Sequence, residues 1–440
     1  MELSQALGII NLTAPDEVQS LAELLPPELI QQAFALTDTV TLRKRKLPLE
    51  SMVWLVIGMA MFNNKPLSHI VNLMDIADRT GRSFTAPSSV IARRKKLGED
   101  AIRELFNLTQ QYWHEEARHP LWHGLTLNAV DGVVWRTPDT PENAAAFAKA
   151  ENQYGEKGYP QVRMVCLMEL SSHLLRASIM DRYDISEMRL AAKLVEQVPD
   201  NSVTLFDRGF WSLGLLHDWH RAGENRHWLL PLKKGTQYEV VRRLGKQDEL
   251  ITLKTSPQAR KQWTELPDTL TVRLIRRKVN GVERQVVTSM TDAMRYPAGD
   301  VAELYKHRWE IELGYREVKQ HLCGNRWTLR SKLPEMVRQE LWGILLTYNL
   351  VRYQMVKMAF SLKGGYLPYQ LSFSGSVTEI LRLLIGLPWS SPGAVPGHLK
   401  HFYSHAAMLK LPPRREREYE REVRPKKPKY PLKNNAGHLK

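Results

Sequence analysis

The order of the apolar segments after residue 120 constrains the fold of this chain more than any other feature. Three strand-like segments come first, with the sequences HGLTLNAVDGVVWRTPD, YPQVRMVCLMEL and HLLRASIMDRY. A helix, a strand, a helix and a strand are predicted next, in EMRLAAKLVEQV, NSVTLFDRGFWS, SLGLLHDWHRAG and RHWLLPLKKG. Strands in succession that then alternate with helices predict an α/β fold built on a mixed sheet.

The segments on both sides of this sheet have other patterns. Before residue 121, apolar residues at three- and four-residue spacing predict helices over 16–37, 48–62, 66–79, 88–97 and 99–118. After the sheet, 238–292 is β-rich, because Asn280-Gly281 separates two alternating runs as in a tight hairpin. Helix is predicted again from about residue 297, and then over 333–362 and 374–385.

Three regions follow from these patterns. We expect an all-helical domain at 1–120 and an α/β domain at 121–385, with a β-rich insertion at about 231–297. The remainder, 386–440, is expected to be a basic tail, because its last part is poor in apolar residues and rich in Arg, Lys and Pro.

The net charge of the chain indicates a polyanionic partner. Lys and Arg number 62 against 47 Asp and Glu, which gives a formal net charge of +15 and a sequence pI near 9.6. Nucleic acid is the expected partner, and an anionic membrane surface is the rival. The plain alternative is a basic protein without such a partner.

Three protein classes fit the sequence poorly. The best apolar run, Met52 to Phe62, is too short to span a bilayer, and Leu341 to Phe360 carries an Arg and a Lys. Cys166 and Cys323 are the only cysteines and are far apart, so by themselves they form neither a disulfide framework nor a zinc cluster. MELSQALGII lacks the basic start and long apolar run of a signal peptide. We therefore expect a cytoplasmic protein without a membrane span.

One predicted helix of the first region is strongly basic. The segment SVIARRKKLG follows Pro87 and carries Arg93, Arg94, Lys95 and Lys96. A basic helix after a turn could be the recognition helix of a helix-turn-helix unit that binds DNA. A solvated basic face on an ordinary bundle helix explains the same residues, and the sequence leaves both interpretations open.

Two aspartates stand out because of the strands that carry them. Asp131 lies inside the apolar strand LNAVDGVVW, and Asp207 ends the strand SVTLFDRGF. An acid in an apolar strand is costly unless it is paired or binds a metal. The alternative is structural, because an Asp at a strand end often caps a turn through the nearby backbone. Gly132 and Gly209 leave room for a ligand or another backbone to approach.

A third acid lies on a helix predicted over 300–322. Tyr305, Arg308, Glu312 and Lys319 are spaced by 3, 4 and 7 residues, so they share one narrow face of a regular helix. Glu310 and Glu317 lie off that face. A solvated helix with surface ion pairs is the plain interpretation.

The functional interpretation joins the three acids in one site. Carboxylates from two strands and a helix can hold two Mg²⁺ ions, which prefer oxygen ligands. Two such ions promote phosphodiester displacement. Arg308 and Lys319 would then bind phosphate, the first as a bidentate fork and the second as a point charge. Tyr305 would lie with them around the DNA backbone.

These residues resemble a known family. The pattern Tyr305-x2-Arg308-x3-Glu312-x6-Lys319 resembles the Y-R-E-K signature of DDE transposases of bacterial insertion sequences, in the insertion-sequence-four family. Asp131 in NAVDGVV and Asp207 in LFDRGF match the motifs around that family's first and second aspartates. The resemblance covers about 121–385, and 1–120 resembles the family's DNA-binding region less specifically.

The resemblance implies a fold and an activity. It implies an RNase H-like catalytic core in which a β-rich insertion separates Asp207 from Glu312. The activity would be cut-and-paste transposition with Mg²⁺, or Mn²⁺ as a substitute, in the bacterial cytoplasm at the nucleoid. A homodimer would bind terminal inverted repeats in a synaptic complex, cleave through a hairpin intermediate and join the end to target DNA.

Some residues of the resemblance are less definite. Related enzymes hold a flipped base with Trp, and the candidates are Trp309 within the signature and Trp263 in the insertion; either could equally be a core residue. Phe210 directly follows Gly209, whereas many relatives have their aromatic slightly later. Two other functions stay open, namely a DNA-binding protein that has lost catalysis and an RNase H-like nuclease without strand transfer.

Overall fold

A sheet of ten strands forms the centre of the described part of the computed structural model. The described residues are 25–39, 49–73, 86–152, 155–279, 282–324, 328–362, 365–386 and 392–412. Parts of the helices predicted over 16–37 and 66–79, and the tail from residue 413 onward, lie outside them. Within the described ranges, no helix combines the length and apolarity that crossing a bilayer requires.

Except for β2, which no predicted segment covers, the strands occur where the apolar and alternating segments predicted them. They are β1 (Thr126–Arg136), β2 (Lys149–Asn152), β3 (Gly155–Glu169), β4 (Leu175–Arg182), β5 (Ser202–Leu205), β6 (Arg226–Pro231), β7 (Glu239–Gly245), β8 (Asp248–Lys254), β9 (Thr269–Val279) and β10 (Val282–Thr288). The predicted hairpin is confirmed, because β9 and β10 pair in antiparallel register from Val279 and Val282 onward.

The helices fall into three groups along the chain. Those before the sheet are α1 (Pro27–Leu36), α2 (Leu49–Met61), α3 (Leu67–Leu73), α4 (Pro87–Leu97) and α5 (Asp100–Ala117). Those among the strands are α6 (Pro141–Phe147), α7 (Glu187–Ala192), α8 (Leu213–Arg221) and α9 (Pro257–Gln262). Those after the sheet are α10 (Ala298–Leu304), α11 (Trp309–Arg316), α12 (Pro334–Ser361), α13 (Phe373–Gly386) and α14 (Val395–Ser404).

The strand order is that of an RNase H-like core. The order is β2-β3-β1-β5-β6-β10-β9-β8-β7, and β4 also pairs with β3. Strands β1, β5 and β6 are parallel, whereas β3 is antiparallel to β1 and β4 to β3. The parallel neighbours need helical crossovers, which α7 and α8 supply. The predicted fold class is thus confirmed, and the β-rich insertion extends the same sheet beyond β6.

Helix α12 joins the helices before the sheet to the rest of the core. It is buried almost all round, as expected of a helix that lies inside a protein. Arg94 of α4 donates hydrogen bonds to Gln339 Oε1 at 2.7 Å and to the Met336 carbonyl at 2.8 Å. Asn63 Nδ2 donates to the Leu322 carbonyl at 2.7 Å. These helices and one face of the sheet therefore share a single hydrophobic core.

The segment that carries the signature residues is not one regular helix, contrary to the prediction. Between α10 and α11, the chain forms a tight 3₁₀ turn at Tyr305–Arg308, and after α11 it widens into a π-helical turn at Glu317–Leu322. Both turns depart from 100° per residue. The regular spacing that predicts the common face therefore does not hold through these two turns.

A buried polar network anchors this segment to α12. Glu310 accepts a hydrogen bond from His173 Nε2 at 2.8 Å, and Arg352 Nη2 donates to His173 Nδ1 at 2.8 Å. Arg352 also pairs with Glu317, which accepts from the Tyr348 hydroxyl at 3.0 Å. Burial alone would raise the pKa of Glu317, but Arg352 and His173 lower that pKa to about 2. Glu310 and Glu317 are thus structural, as their position off the predicted face indicated.

Candidate active site

Two strands bring Asp131 and Asp207 side by side. The parallel register of β1 and β5 pairs Ala129 with Leu205, so two further residues along each chain reach these two aspartates. Asp131 Oδ1 accepts a hydrogen bond from its neighbour Gly132 N at 2.8 Å, and Asp207 Oδ1 accepts from Gly209 N at 2.7 Å. The turn-capping interpretation is therefore correct for Asp207. It does not exclude a ligand because, among the described residues, the other oxygen of each carboxylate makes no such bond.

The surroundings of Asp131 disfavour the charge of its carboxylate. Burial, with a further contribution from the negative charge of Asp207, raises the pKa of Asp131 to about 6. The Gly132 N–H group and Arg308 act in the opposite direction. A bound cation would remove this repulsion, because an opposite charge nearby favours the ionised carboxylate.

Glu312 faces a cation in this structure. Arg308 Nη2 donates to Glu312 Oε1 at 2.5 Å, and Arg308 also lies near enough to Asp131 to lower the pKa of that acid. Across the described ranges, no three His, Cys, Asp or Glu side chains converge closely enough to hold a metal ion as they stand. The donor set consists of carboxylate oxygens and suits Mg²⁺. Glu312 would have to turn from Arg308 to complete it.

Tyr305 and Lys319 contact the backbone close to the two aspartates. The Tyr305 hydroxyl donates to the Phe206 carbonyl at 3.2 Å, directly before Asp207, and burial raises the pKa of Tyr305 to about 12. Lys319 Nζ lies 3.5 Å from the Val134 carbonyl. Burial lowers the pKa of Lys319. Both side chains therefore border the site that the sequence predicted, although each is partly buried.

The two tryptophan candidates lie in different surroundings. Trp309 is 47% exposed, and the Arg308 guanidinium carbon lies 5.9 Å from its ring centroid. Trp263 packs against Gly214 of α8, so closely that a Cβ at that glycine would lie 2.2 Å from the indole. The core interpretation therefore describes Trp263, and Trp309 is the candidate beside the signature residues.

The four cations of the basic helix α4 differ in their exposure. Lys95 and Lys96 are exposed and Arg93 is half-buried, whereas Arg94 is 5% exposed. The guanidinium of Arg94 is occupied by the hydrogen bonds to α12 and a further one to Ser331 Oγ at 2.9 Å. Arg94 therefore does not share a surface with the other three, contrary to the prediction, because it fixes α4 on the core.

Sequence reasoning missed a fourth carboxylate beside the aspartates. A Cβ added to Gly132 would lie 2.3 Å from the Glu187 Cδ, so this side chain of α7 covers the glycine. Burial raises the pKa of Glu187, and the charge of Asp207 raises it further. The segment EMRLAAKL has the pattern of an ordinary helix, so only the close approach at Gly132 reveals Glu187.

Phe210, the aromatic residue that directly follows Gly209, is buried, and its ring centroid lies 5.6 Å from that of Phe206.

Comparisons with known proteins show similarity over almost the whole chain. Residues 15–107 match the family described as insertion element 4 transposase N-terminal, and 122–350 match the transposase DDE domain. The chain is 52% identical over 433 residues to the transposase InsG for insertion sequence element IS4 of Escherichia coli K12, covering 98% of both chains. It is 36% identical over 234 residues to the transposase InsZ of the same organism, covering 52% of this chain and 77% of InsZ.

A solved structure shows a weaker likeness. The piggyBac transposase in a synaptic complex with hairpin DNA has a TM-score of 0.39 and 9% identity, over 93% of this chain and 82% of that one. The RNase H-like fold is therefore assigned from the strand order of the sheet.

Proposed function

The chain belongs to the insertion-element-4 family of DDE transposases, and from this membership we propose that it binds the terminal inverted repeats of its own element and moves that element. The reactions would be metal-dependent cleavage of the DNA ends and their transfer to target DNA. The observation that carries the proposal is the side-by-side position of Asp131 and Asp207, with Arg308 and Glu312 next to them.

DDE transposase domains use divalent metal ions. We assign Asp131, Asp207 and Glu312 as the carboxylates that would hold two Mg²⁺ ions, for which Mn²⁺ would substitute. When bound, such ions activate a water or a 3′-hydroxyl as the nucleophile and stabilise the leaving oxygen. The support from the chain itself is that burial, and to a lesser extent the nearby charge of Asp207, raises the pKa of Asp131.

The other signature residues would bind and position DNA. Once Glu312 turns away from Arg308, the Arg308 guanidinium can donate two hydrogen bonds to a phosphate. Tyr305 fixes the backbone just before Asp207 and so orients that carboxylate. Lys319 adds a partly desolvated ammonium on the β1 side. We assign Arg93, Lys95 and Lys96 to phosphate contacts elsewhere on the DNA.

The finer steps are part of the same proposal. We propose that cleavage passes through a hairpin at the element end and that Trp309, exposed beside Arg308, stacks on a displaced base. We also propose that a homodimer holds two ends in the synaptic complex, and that the protein acts in the bacterial cytoplasm at the nucleoid.

Linear DNA that carries the sequences flanking the gene tests this function. With the purified chain and Mg²⁺, we expect hairpin-ended fragments, and with target DNA also present we expect joined products. The reason is that hydrolysis and strand transfer would use the same carboxylates. Denaturing gels distinguish the products, and EDTA should abolish all of them.

Other outcomes would favour the other two functions. Specific binding of the ends without any cleavage would indicate a DNA-binding protein that has lost catalysis. Cleavage without hairpins or joined products would indicate an RNase H-like nuclease. Either result would contradict the proposed transposition reaction.

A further inference from the structure

A basic groove lies between the β9–β10 hairpin and the signature segment. Its volume is about 580 Å³. Its floor is mainly apolar and includes Ile275 and Val286. We define the basic groove by the five cations that line it, which are Arg208, Lys234, Arg277, Arg284 and Lys306. These cations come from five separate elements, so they form a distributed surface rather than a single anion pocket.

The groove begins beside the proposed catalytic residues. Arg208 is the residue directly after Asp207, and the Tyr305 ring lines the groove while its hydroxyl holds the Phe206 carbonyl. The groove then reaches β10 through Arg284. A DNA strand cut at the aspartates would therefore meet this surface next.

The charge of the groove is only partly compensated. Lys306 Nζ lies 2.5 Å from Glu303 Oε1, and Arg277 Nη1 lies 3.7 Å from the other oxygen of the same acid. Glu283 is the one acidic residue of the lining. Within the described ranges, exposed Arg208, Lys234 and Arg284 form no ion pair. Such an excess of one sign in a cleft concentrates counter-ions, here anions.

We propose that the basic groove binds the phosphodiester backbone of one DNA strand where it leaves the cleavage site. The cations contact successive phosphates, while sugars and base edges lie on the apolar floor. Proteins hold single strands without reading their sequence by means of a positively charged groove that follows the backbone. This inference rests on the proposed function, because DNA is taken as the substrate, and it assigns a further surface to it.

The double variant Lys234→Gln/Arg284→Gln tests the proposal. Affinity for fluorescently labelled oligothymidylate is measured by anisotropy over a range of salt concentrations without divalent metal. Each phosphate contact to a single strand contributes about 0.7 to the slope of log affinity against log salt. We therefore expect the slope to fall in magnitude by about 1.4, and Lys234→Arg/Arg284→Lys to restore it.

A matched control removes the same charge elsewhere. Lys193→Gln/Arg221→Gln loses two cations that pair with Asp181 and Glu265 at 3.2 and 3.1 Å. This control should keep the slope of the unmodified chain. An unchanged slope in the groove variant, or an equal fall in both double variants, would overturn the proposal.

The readout is separate from that of the proposed function. Binding without metal requires no cleavage. An unchanged salt slope in the groove variant, together with normal cleavage of the ends by the unmodified chain, would therefore contradict the groove proposal but not the transposase reaction. Conversely, a reduced slope in a chain that does not cleave would support the groove and contradict the reaction alone. Both replaced side chains are exposed, so folding is checked simply by comparing melting temperatures.

Discussion

Asp207→Asn is expected to lower Mg²⁺-dependent cleavage of the element ends by at least about a thousandfold, which corresponds to about 4 kcal/mol of transition-state stabilisation. The reason is that asparagine keeps the shape of the side chain but removes the charge that would hold the metal ion. Asp131→Asn and Glu312→Gln should have the same effect. The measurement is the single-turnover cleavage rate with DNA in the presence of Mg²⁺.

DNA binding separates this loss from a loss of structure. The dissociation constant for the ends, measured without metal, should change little, because we assign these acids to the metal rather than to the DNA. Asp218→Asn provides a matched control, since Asp218 lies on α8 with a 42% exposed side chain. Rapid cleavage by Asp207→Asn, or an equal loss in Asp218→Asn, would contradict the assignment.

Arg352→Met is expected to lower the free energy of unfolding by about 3–5 kcal/mol, as is usual when one partner of a buried ion pair is removed. Arg352 is fully buried and contacts Glu317, His173 and Tyr348. Methionine fills similar space but leaves the Glu317 carboxylate buried without its cation. Chemical denaturation at neutral pH measures the effect.

Acid supplies an independent readout of the same ion pair. The folded-state pKa of Glu317 is lowered to about 2, so its stabilisation is present above the unfolded pKa and is lost as pH falls towards 2. Arg352→Met should show less of this acid-dependent loss than the unmodified chain. Arg338→Met, on the same helix, removes a partly exposed cation 3.6 Å from Glu99 and should cost about 1 kcal/mol or less. Equal effects of the two substitutions would refute the special position of Arg352.

The sheet and the two aspartates could be predicted because each is indicated by residues that are close together in the sequence. An acid inside or at the end of an apolar strand stands out without knowledge of any other segment, and Asn280-Gly281 identifies a hairpin by its turn chemistry alone. The positions of Asp131 and Asp207 opposite each other follow from the parallel pairing of their strands, which the α/β order already indicated.

The conformation of the signature segment could be predicted from residue spacing only in part. Spacing at i and i+4 brought Arg308 and Glu312 to one face, and the structure pairs them directly. The π-helical turn after Arg316 could not be foreseen, because it accompanies the contact of Glu317 with Arg352, 35 residues further along the chain. The regular helical spacing used for the prediction therefore does not hold through that turn.

Other features depend on contacts between distant segments. Arg94 has the same sequence context as Lys95, but hydrogen bonds to α12 bury it. Glu187 approaches the aspartates only because Gly132 has no side chain. The cations of the basic groove likewise come from segments that lie far apart in sequence, so no local pattern marks them.

The most direct test of the central claim, that these carboxylates hold the catalytic metal, is the metal preference of Asp207→Cys. A thiolate is a poor ligand for hard Mg²⁺ and a better one for softer ions such as Mn²⁺. Cleavage by Asp207→Cys should be lost with Mg²⁺ and partly recovered with Mn²⁺. The ratio of Mn²⁺ to Mg²⁺ rates should then exceed that of the unmodified chain by about tenfold or more, a difference of about 1.4 kcal/mol. Arg308→Gln should keep the unmodified ratio, because we assign Arg308 to phosphate rather than to metal. An unmodified ratio in Asp207→Cys, in a chain that still binds the ends, would contradict the claim.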